Sequence, residues 1–448
     1  MESHGEGGIC HYTYCLANAL AEKQHDVVVA SAFPYELAEA PRRFTLVTPF
    51  GQSHERRLLQ RLRRSLHVAP STGPSAPRDD KHPTNLTTSI VSAASTLEGA
   101  HRGSFSRLSS ALVGAGSRLL AQREYRTGLR ITQQLLQQFD IELAHVQWCR
   151  SPPDDLRWLS ALRQRRIPAV LTAHNTLPHD APDMARETWA YMYQTARQVI
   201  AHSPTGRAEL LAMGVQPDHV TVIPHGNYIP LSALAATDSG GGDSARRQMA
   251  RRQLGLAADA PVLLCFGLMR PYKGINYLLE AFAHVAQALP TARLLLVGNA
   301  PDGFASIARQ IVSLRLEHAV TAIPRYVSLE DASLCFMASD LVALPYVEAS
   351  QSGVIQLAYA YRRPVVATRV GGLPEVVVEG ETGALVPPRD AGALSRVLVA
   401  FLGDPDNCHR LGMRAYEYAE TTYAWTNIAS TTLDVYARAQ GAHQPSIR

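Results

Sequence analysis

Ten short apolar runs, alternating with helical patterns, constrain this chain more than any other feature. They are Asp26–Ala30, Leu143–Gln147, Ala169–Ala173, Gln198–His202 and Val220–Pro224, then Pro261–Gly267, Arg293–Gly298, Ala319–Ile323, Leu341–Pro345 and Pro364–Thr368. A strand wetted on one face alternates apolar with polar residues. A continuous apolar run suits a strand buried on both faces. Strands of that kind alternating with helices predict a parallel sheet covered by helices on both sides, an α/β fold.

The two series are separated by Ser232–Gln253, which carries the Gly-rich stretch Asp238–Ser244. This reads as a flexible junction between two doubly wound domains. The predicted division is 1–230 for the first domain, 250–425 for the second and 426–448 for a C-terminal helix. A second weakly patterned stretch, Val68–Thr96, reads as a surface loop or insertion. The start is unusual. A doubly wound domain opens with a buried strand leading into a Gly-rich turn and a helix. Here the turn Gly5-Glu6-Gly7-Gly8 comes almost at once, and the helix His11–Glu22 follows with Tyr12, Leu16, Ala19 and Leu20 on one face. The expectation is a first domain whose first strand is absent.

Composition narrows the class. With 448 residues, 46% apolar and 18% charged, the chain has the makings of globular domains and not of a disordered polymer. No apolar run approaches the roughly 18 residues of a membrane-spanning helix. Met1–Gly8 is polar, so no signal peptide is visible, and the expected location is the cytoplasm. The net charge of +4 is too slight to argue for nucleic acid. The six cysteines form no C-x-x-C pair, which argues against zinc and a disulfide framework and for buried thiols in a reducing compartment.

Four strand ends could carry chemistry. Phe266–Gly274 follows an apolar run and holds Gly267, Arg270 and Lys273. Lysine occurs only at Lys23, Lys81 and Lys273, so its place beside a turn glycine stands out. Two cations at the carboxyl edge of a parallel sheet suit a diphosphate, with Arg as a fork and Lys as a point charge; the bland alternative is a solvated basic loop. Leu344–Gln356 carries Glu348 ahead of a helix that begins near Gly353. Free amides at such a helix start bind anions. Glu348 could accept hydrogen bonds from sugar hydroxyls, although an acid in this place is more often a cap. His174 ends its own run and could orient a sugar or support a leaving group; a structural histidine is the alternative. Val222–Asn227, with Pro224-His225-Gly226, reads as structural, and Gly371-Gly372 and Glu379–Gly383 read as turns. Asp404-Pro405-Asp406 reads as a capping turn and not a metal site. Residues 56–66 put leucines on one helical face and arginines on the rest, which suits anionic lipid or a helix packed on its own domain.

In order and at these separations the motifs resemble the family 4 retaining glycosyltransferases, from Gly7-Gly8 through His174, Val222–Gly226, Gly267–Gly274 and Glu348–Gln356 to Gly371–Val376. The resemblance implies the GT-B fold, two facing Rossmann-like domains with a C-terminal helix crossing back to the first. It implies transfer of a hexose from a nucleotide sugar to a lipid-linked or polysaccharide acceptor, with no metal or other cofactor. On that reading Glu348, His174, Arg270 and Lys273 are the catalytic set. Gly8, Gly267, Arg270, Lys273, Glu348, Gly353, Val354, Ile355 and Gln356 bind the donor. Gln356 stands where the family has a second acid for the ribose hydroxyls. The implied partners are the nucleotide sugar and a glycan or lipid-linked acceptor, with peripheral contact to the inner face of the cell membrane through residues 56–66 and no nucleic acid. Two other readings share the fold: a nucleotide-sugar 2-epimerase and a non-catalytic binding protein.

Overall fold

The structure, a computed structural model of the chain, describes residues 7–32, 35–50, 123, 125–149, 151–177, 185–235 and 242–441. The basic stretch 56–66, the segment 68–96 and residues 238–241 lie outside the described residues.

Among the described residues all paired strands are parallel. In the first domain β1 (Val28–Ala32) pairs with β2 (Thr45–Phe50). A separate four-stranded sheet runs β3 (Ala144–Val146), β4 (Ala169–Ala173), β5 (Gln198–Ala201), β6 (Val220–Val222). The second domain is built on β7 (Val262–Phe266), β8 (Arg293–Val297), β9 (Val320–Ile323), β10 (Leu341–Leu344), β11 (Val365–Thr368) and β12 (Gly383–Val386). Their spatial order is β12-β11-β10-β7-β8-β9. The chain therefore reverses direction across the sheet between β7 and β10, which are direct neighbours (Leu341 opposite Leu263, Val342 opposite Leu264). At such a reversal the loops leaving the two strands part to opposite faces and leave a crevice at their carboxyl ends. The sequence places Gly267–Gly274 after β7 and Pro345–Ser352 after β10. The topology thus sets both candidate loops on the rim of one crevice.

Each of the ten apolar runs holds all or most of a strand, and four of these strands, β4, β5, β10 and β11, are buried throughout. Two strands carry no such signal. β2 has an exposed threonine at its start and contains Pro49, and β12 is four residues that open on Gly383 in what reads as a turn.

The junction differs from expectation. Asp243–Gln253 is a helix, not a linker. Arg251, only 1% exposed, ties it down by donating to Asp340 (2.7 Å) and to the carbonyls of Ala338 (3.0 Å) and Ala258 (2.6 Å).

The C-terminal helix Trp425–Gln440 crosses back to the first domain and packs on the helix Gly8–Glu22. The Trp425 indole donates to the Asn227 carbonyl at 2.7 Å, and Tyr436 meets His145 Nδ1 at 2.7 Å. One apolar cluster runs from the helix Gly8–Glu22 through Tyr228 and Leu231 into β7 and β10, so the two domains share packed surface beneath the cleft.

Candidate active site

The loops after β7 and β10 are locked to each other. The Val347 amide donates to the Tyr272 carbonyl at 2.8 Å. Gly274, at φ +65°, passes so close to Pro345 that a built Cβ would lie 1.9 Å from its carbonyl oxygen, so only glycine fits there. A Cβ built on Gly267 would lie 3.9 Å from Lys273 Nζ and equally far from Val354 Cγ2. Gly267, Lys273 and the first turn of the helix Gly353–Ala360 therefore meet at one point. Ser352 gives that helix no side-chain cap; the Ile355 amide donates to the Ser352 carbonyl at 3.2 Å, which leaves the amides of Gly353 and Val354 as donors for an anion.

Lys273 is half-buried. Its ammonium donates to the Tyr346 hydroxyl at 2.5 Å and lies 3.8 Å from the centre of the Tyr346 ring. The Tyr346 hydroxyl in turn meets Ser352 Oγ at 3.1 Å, just ahead of the helix start. Burial pulls Lys273 down to about 7, while Cys265 acts weakly the other way. An arriving diphosphate favours the ammonium form and raises that value. The sign of the pH dependence follows. In the free protein the ammonium is lost as pH rises through about 7. The affinity for a nucleotide sugar, whose diphosphate diester keeps a fixed charge in this range, is expected to fall with rising pH by up to about tenfold per unit above that point. Calorimetric titration at pH 6–9 checks this, and Lys273→Arg should abolish the slope.

Arg270 directly precedes the short turn Pro271–Lys273 on the same loop. Glu348 is exposed on the loop after β10. Gln356 lies one turn into the helix from Gly353. It is 2% exposed, and its Oε1 has no hydrogen-bond partner among the described residues. A buried acceptor without a donor is costly and fits a hydroxyl donor from a ligand. Ile355 is fully buried in the same turn.

The first domain reaches this point through residues that sequence reading passed over. The Tyr228 hydroxyl donates to the Gly8 carbonyl at 2.9 Å. A Cβ built on Gly353 would lie 3.5 Å from that hydroxyl and from His225 Nε2. Gly8 and the helix start at Gly353 are thus brought together across Tyr228. His225, read as structural, is the histidine beside the helix start. His174 sits further back. Its Nδ1 meets His202 Nε2 at 3.1 Å, and its Nε2 meets the Gln147 side chain at 3.2 Å. Burial holds these histidines neutral, with His202 lowered to about 4, His225 to about 3 and His174 well below its usual value. His202 Nδ1 donates to the Ile223 carbonyl (2.9 Å), so its Nε2 accepts from His174 Nδ1.

Two contacts bracket the cleft. The Thr205 amide and hydroxyl donate to Glu375 across it, at 3.1 and 2.7 Å. Glu36 accepts from the Gly7 amide (3.0 Å) and from Tyr326 of the second domain (2.7 Å), and pairs with His11 (2.9 Å). Burial alone would raise the Glu36 carboxyl. The bonds from His11, Gly7 and Tyr326 outweigh it and hold the group below its usual range.

Residues 260–404 match the family model described as Glycosyl transferases group 1, and residues 109–227 match the one described as Glycosyltransferase Family 4. The structure of Anabaena HepE in complex with UDP and glucose superimposes with a TM-score of 0.67 at 19% identity, covering 97% of each chain. This is the GT-B fold. The Glycosyl transferases group 1 match falls in the second domain and the Glycosyltransferase Family 4 match in the first domain. Among curated proteins, D-inositol 3-phosphate glycosyltransferase of Corynebacterium efficiens is 29% identical over 62% of this chain and 67% of its own. The protein of that name from Streptomyces avermitilis is 34% identical over 45% of each. The chain thus aligns with between about half and two thirds of the length of these relatives. In GT-B terms the site described above lies between the two domains, on the second sheet's carboxyl edge.

Proposed function

We propose that the chain is a retaining glycosyltransferase that moves a hexose from a nucleoside-diphosphate sugar to a hydroxyl acceptor. The observation that carries this is the meeting of Lys273, Gly267 and the uncapped helix start at Gly353 on the rim of the β7–β10 crevice, closed from the other domain by Gly8 and Tyr228. One ammonium and a fan of amides form a cradle for a diphosphate. Their stabilisation matters most when charge develops on the departing β-phosphate. Arg270 adds a second cation. Glu348, on the loop above, faces the sugar, and Gln356 takes the ribose hydroxyls with its unpartnered oxygen. His174 supports the sugar side through the neutral histidine cluster.

The acceptor hydroxyl loses its proton to the departing phosphate on the same face of the sugar, so the reaction proceeds with retention and needs no strong protein base. The cations and amides supply the charge stabilisation that a metal would otherwise bring, so transfer is expected without an added divalent ion. HepE, which shares the fold, has been captured with UDP and glucose, and this supports a nucleotide sugar as the donor. The proposed acceptor is a lipid-linked or polysaccharide glycan, with residues 56–66 seating the protein on anionic lipid. The relatives named D-inositol 3-phosphate glycosyltransferase favour a second reading, a small phosphorylated polyol.

Incubating the chain with nucleotide sugars and the two acceptor classes, with EDTA present, tests the reading. The expected product keeps the donor's anomeric configuration by NMR, and Glu348→Gln lowers turnover by about a hundredfold or more. An inverted product, dependence on a metal, or full activity in Glu348→Gln would each overturn the corresponding part.

A further inference from the structure

The two ring nitrogens of His225 are in different states. Nδ1 lies 2.8 Å from the Gly226 carbonyl oxygen, which can only accept, so Nδ1 carries a proton. Burial holds the ring neutral, so Nε2 is a lone pair. Among the described residues the hydrogen-bond neighbour of Nε2 is the Tyr228 hydroxyl, at 3.3 Å. That hydroxyl has one proton and two acceptors within reach, and the Gly8 carbonyl is the nearer at 2.9 Å. Nε2 is therefore an acceptor without a donor, in a residue only 8% exposed. A buried acceptor in that state is costly, and a ligand that brings a donor relieves it.

Packing fixes where this lone pair lies. Tyr12 and Tyr228 meet the His225 ring edge-on, with centroids 5.0 and 5.2 Å away, and hold its plane. The turn that carries the ring is tied to the C-terminal helices. The Asn227 amide donates to the Tyr423 carbonyl and its side chain to the Ala419 carbonyl, both at 3.0 Å. A Cβ built on Gly226 would lie 2.5 Å from the Trp425 ring. A Cβ built on Gly353 would lie 3.5 Å from Nε2, so Nε2 sits against the start of the helix Gly353–Ala360. His174 offers no such group. Its Nδ1 donates to His202 and its Nε2 meets the Gln147 side chain, both inside the first domain.

We propose that His225 Nε2 accepts a hydrogen bond from a hydroxyl of the transferred hexose, which makes His225 a recognition residue for the donor sugar. This role rests on the proposed seat of the β-phosphate at the Gly353 helix start. The group bonded to that phosphate is the hexose, so its hydroxyls are the donors nearest to Nε2. A phosphate oxygen does not suit the place, because it is an acceptor facing an acceptor. The site thus divides its ligand: the amides and the Lys273 ammonium take the anionic part, and the imidazole lone pair takes the sugar.

The test is calorimetric titration of the full chain with UDP and UDP-glucose, and with GDP and GDP-mannose. It compares the wild type with His225→Phe, which keeps a ring and removes the acceptor, and His225→Gln, whose amide oxygen reaches toward the same place. In His225→Phe the affinity for the sugar conjugate is expected to fall about three- to tenfold, while that for the bare nucleotide stays within about twofold. His225→Gln should recover most of the loss. If His225→Phe does not fold, nitrogen NMR of the wild-type imidazole decides: Nε2 is expected to be unprotonated with the nucleotide bound, and its resonance to move when the sugar conjugate replaces it. A wild type that binds neither pair would overturn the phosphate site and the role of His225 with it. A wild type that binds, with nucleotide and conjugate weakened equally in His225→Phe or neither weakened, would overturn the role of His225 alone. So would a protonated Nε2.

Discussion

Replacing Lys273 with Ala is expected to lower kcat/KM for transfer by about a hundred- to a thousandfold, as loss of one preorganised charge-stabilising donor does. Lys273 Nζ lies beside Gly267 and the first turn of the helix Gly353–Ala360. It is the group best placed to follow charge onto the departing phosphate. Removal leaves the Tyr346 hydroxyl still bonded to Ser352 at 3.1 Å. Folding should therefore change little, and the melting temperature is expected to stay within a few degrees. Nucleotide affinity falls together with turnover, since the same ammonium serves ground state and transition state. Initial rates at saturating and limiting donor, alongside a melting curve, separate this from unfolding. A variant that melts normally and transfers normally would remove Lys273 from the site.

Gly298→Ala is expected to be the most damaging small substitution near the site. Gly298 follows β8 at φ +140°, and an added Cβ would lie 1.9 Å from the Gly267 carbonyl oxygen and 2.6 Å from its carbon. Both atoms are backbone, so relief requires moving the loop after β7. The left-handed conformation adds its own penalty for any side chain. The combined cost is about 3–5 kcal/mol, read as a fall of roughly 6–20 °C in melting temperature. Because the displaced loop begins at Gly267, donor affinity falls too. Gly303→Ala serves as the comparison. Its φ is +91°, but nothing lies within 4 Å of the added methyl, so it carries strain alone, about 1 kcal/mol. Equal melting of the two variants would contradict the close approach of β8 and the donor loop.

Much of this fold is legible in the chain because burial on both faces leaves a local mark. Runs such as Ala169–Ala173 and Leu341–Leu344 are apolar throughout, and their strands are buried throughout. The donor loops are legible for a related reason. A strand end, a turn glycine and a rare lysine lie within a few residues of one another in Phe266–Gly274. What sequence reading missed is held by contacts between distant residues. Tyr228 acquires its place from Gly8, 220 residues away, and Glu36 from Tyr326, 290 residues away. Neither has a periodic or spacing signal. The helix Asp243–Gln253 was hidden by the glycines before it, and its anchor, Asp340, lies 89 residues from Arg251. β12 is short and begins on a glycine, so turn chemistry outweighed strand pattern.

The central claim is that Lys273, Gly267 and the helix start at Gly353 form a nucleoside-diphosphate site. The most direct measurement is a thermal-shift panel of UDP, GDP, dTDP and ADP and their hexose conjugates, run on the full chain and on Lys273→Ala. At a hundred times the dissociation constant a ligand stabilises by about 2.7 kcal/mol, a shift of roughly 5–10 °C for domains of this size. The expected result is a shift with one nucleotide and its sugar conjugate that is lost in Lys273→Ala. A cooperatively melting protein that responds to none of them, or that responds equally with Lys273 removed, would contradict it.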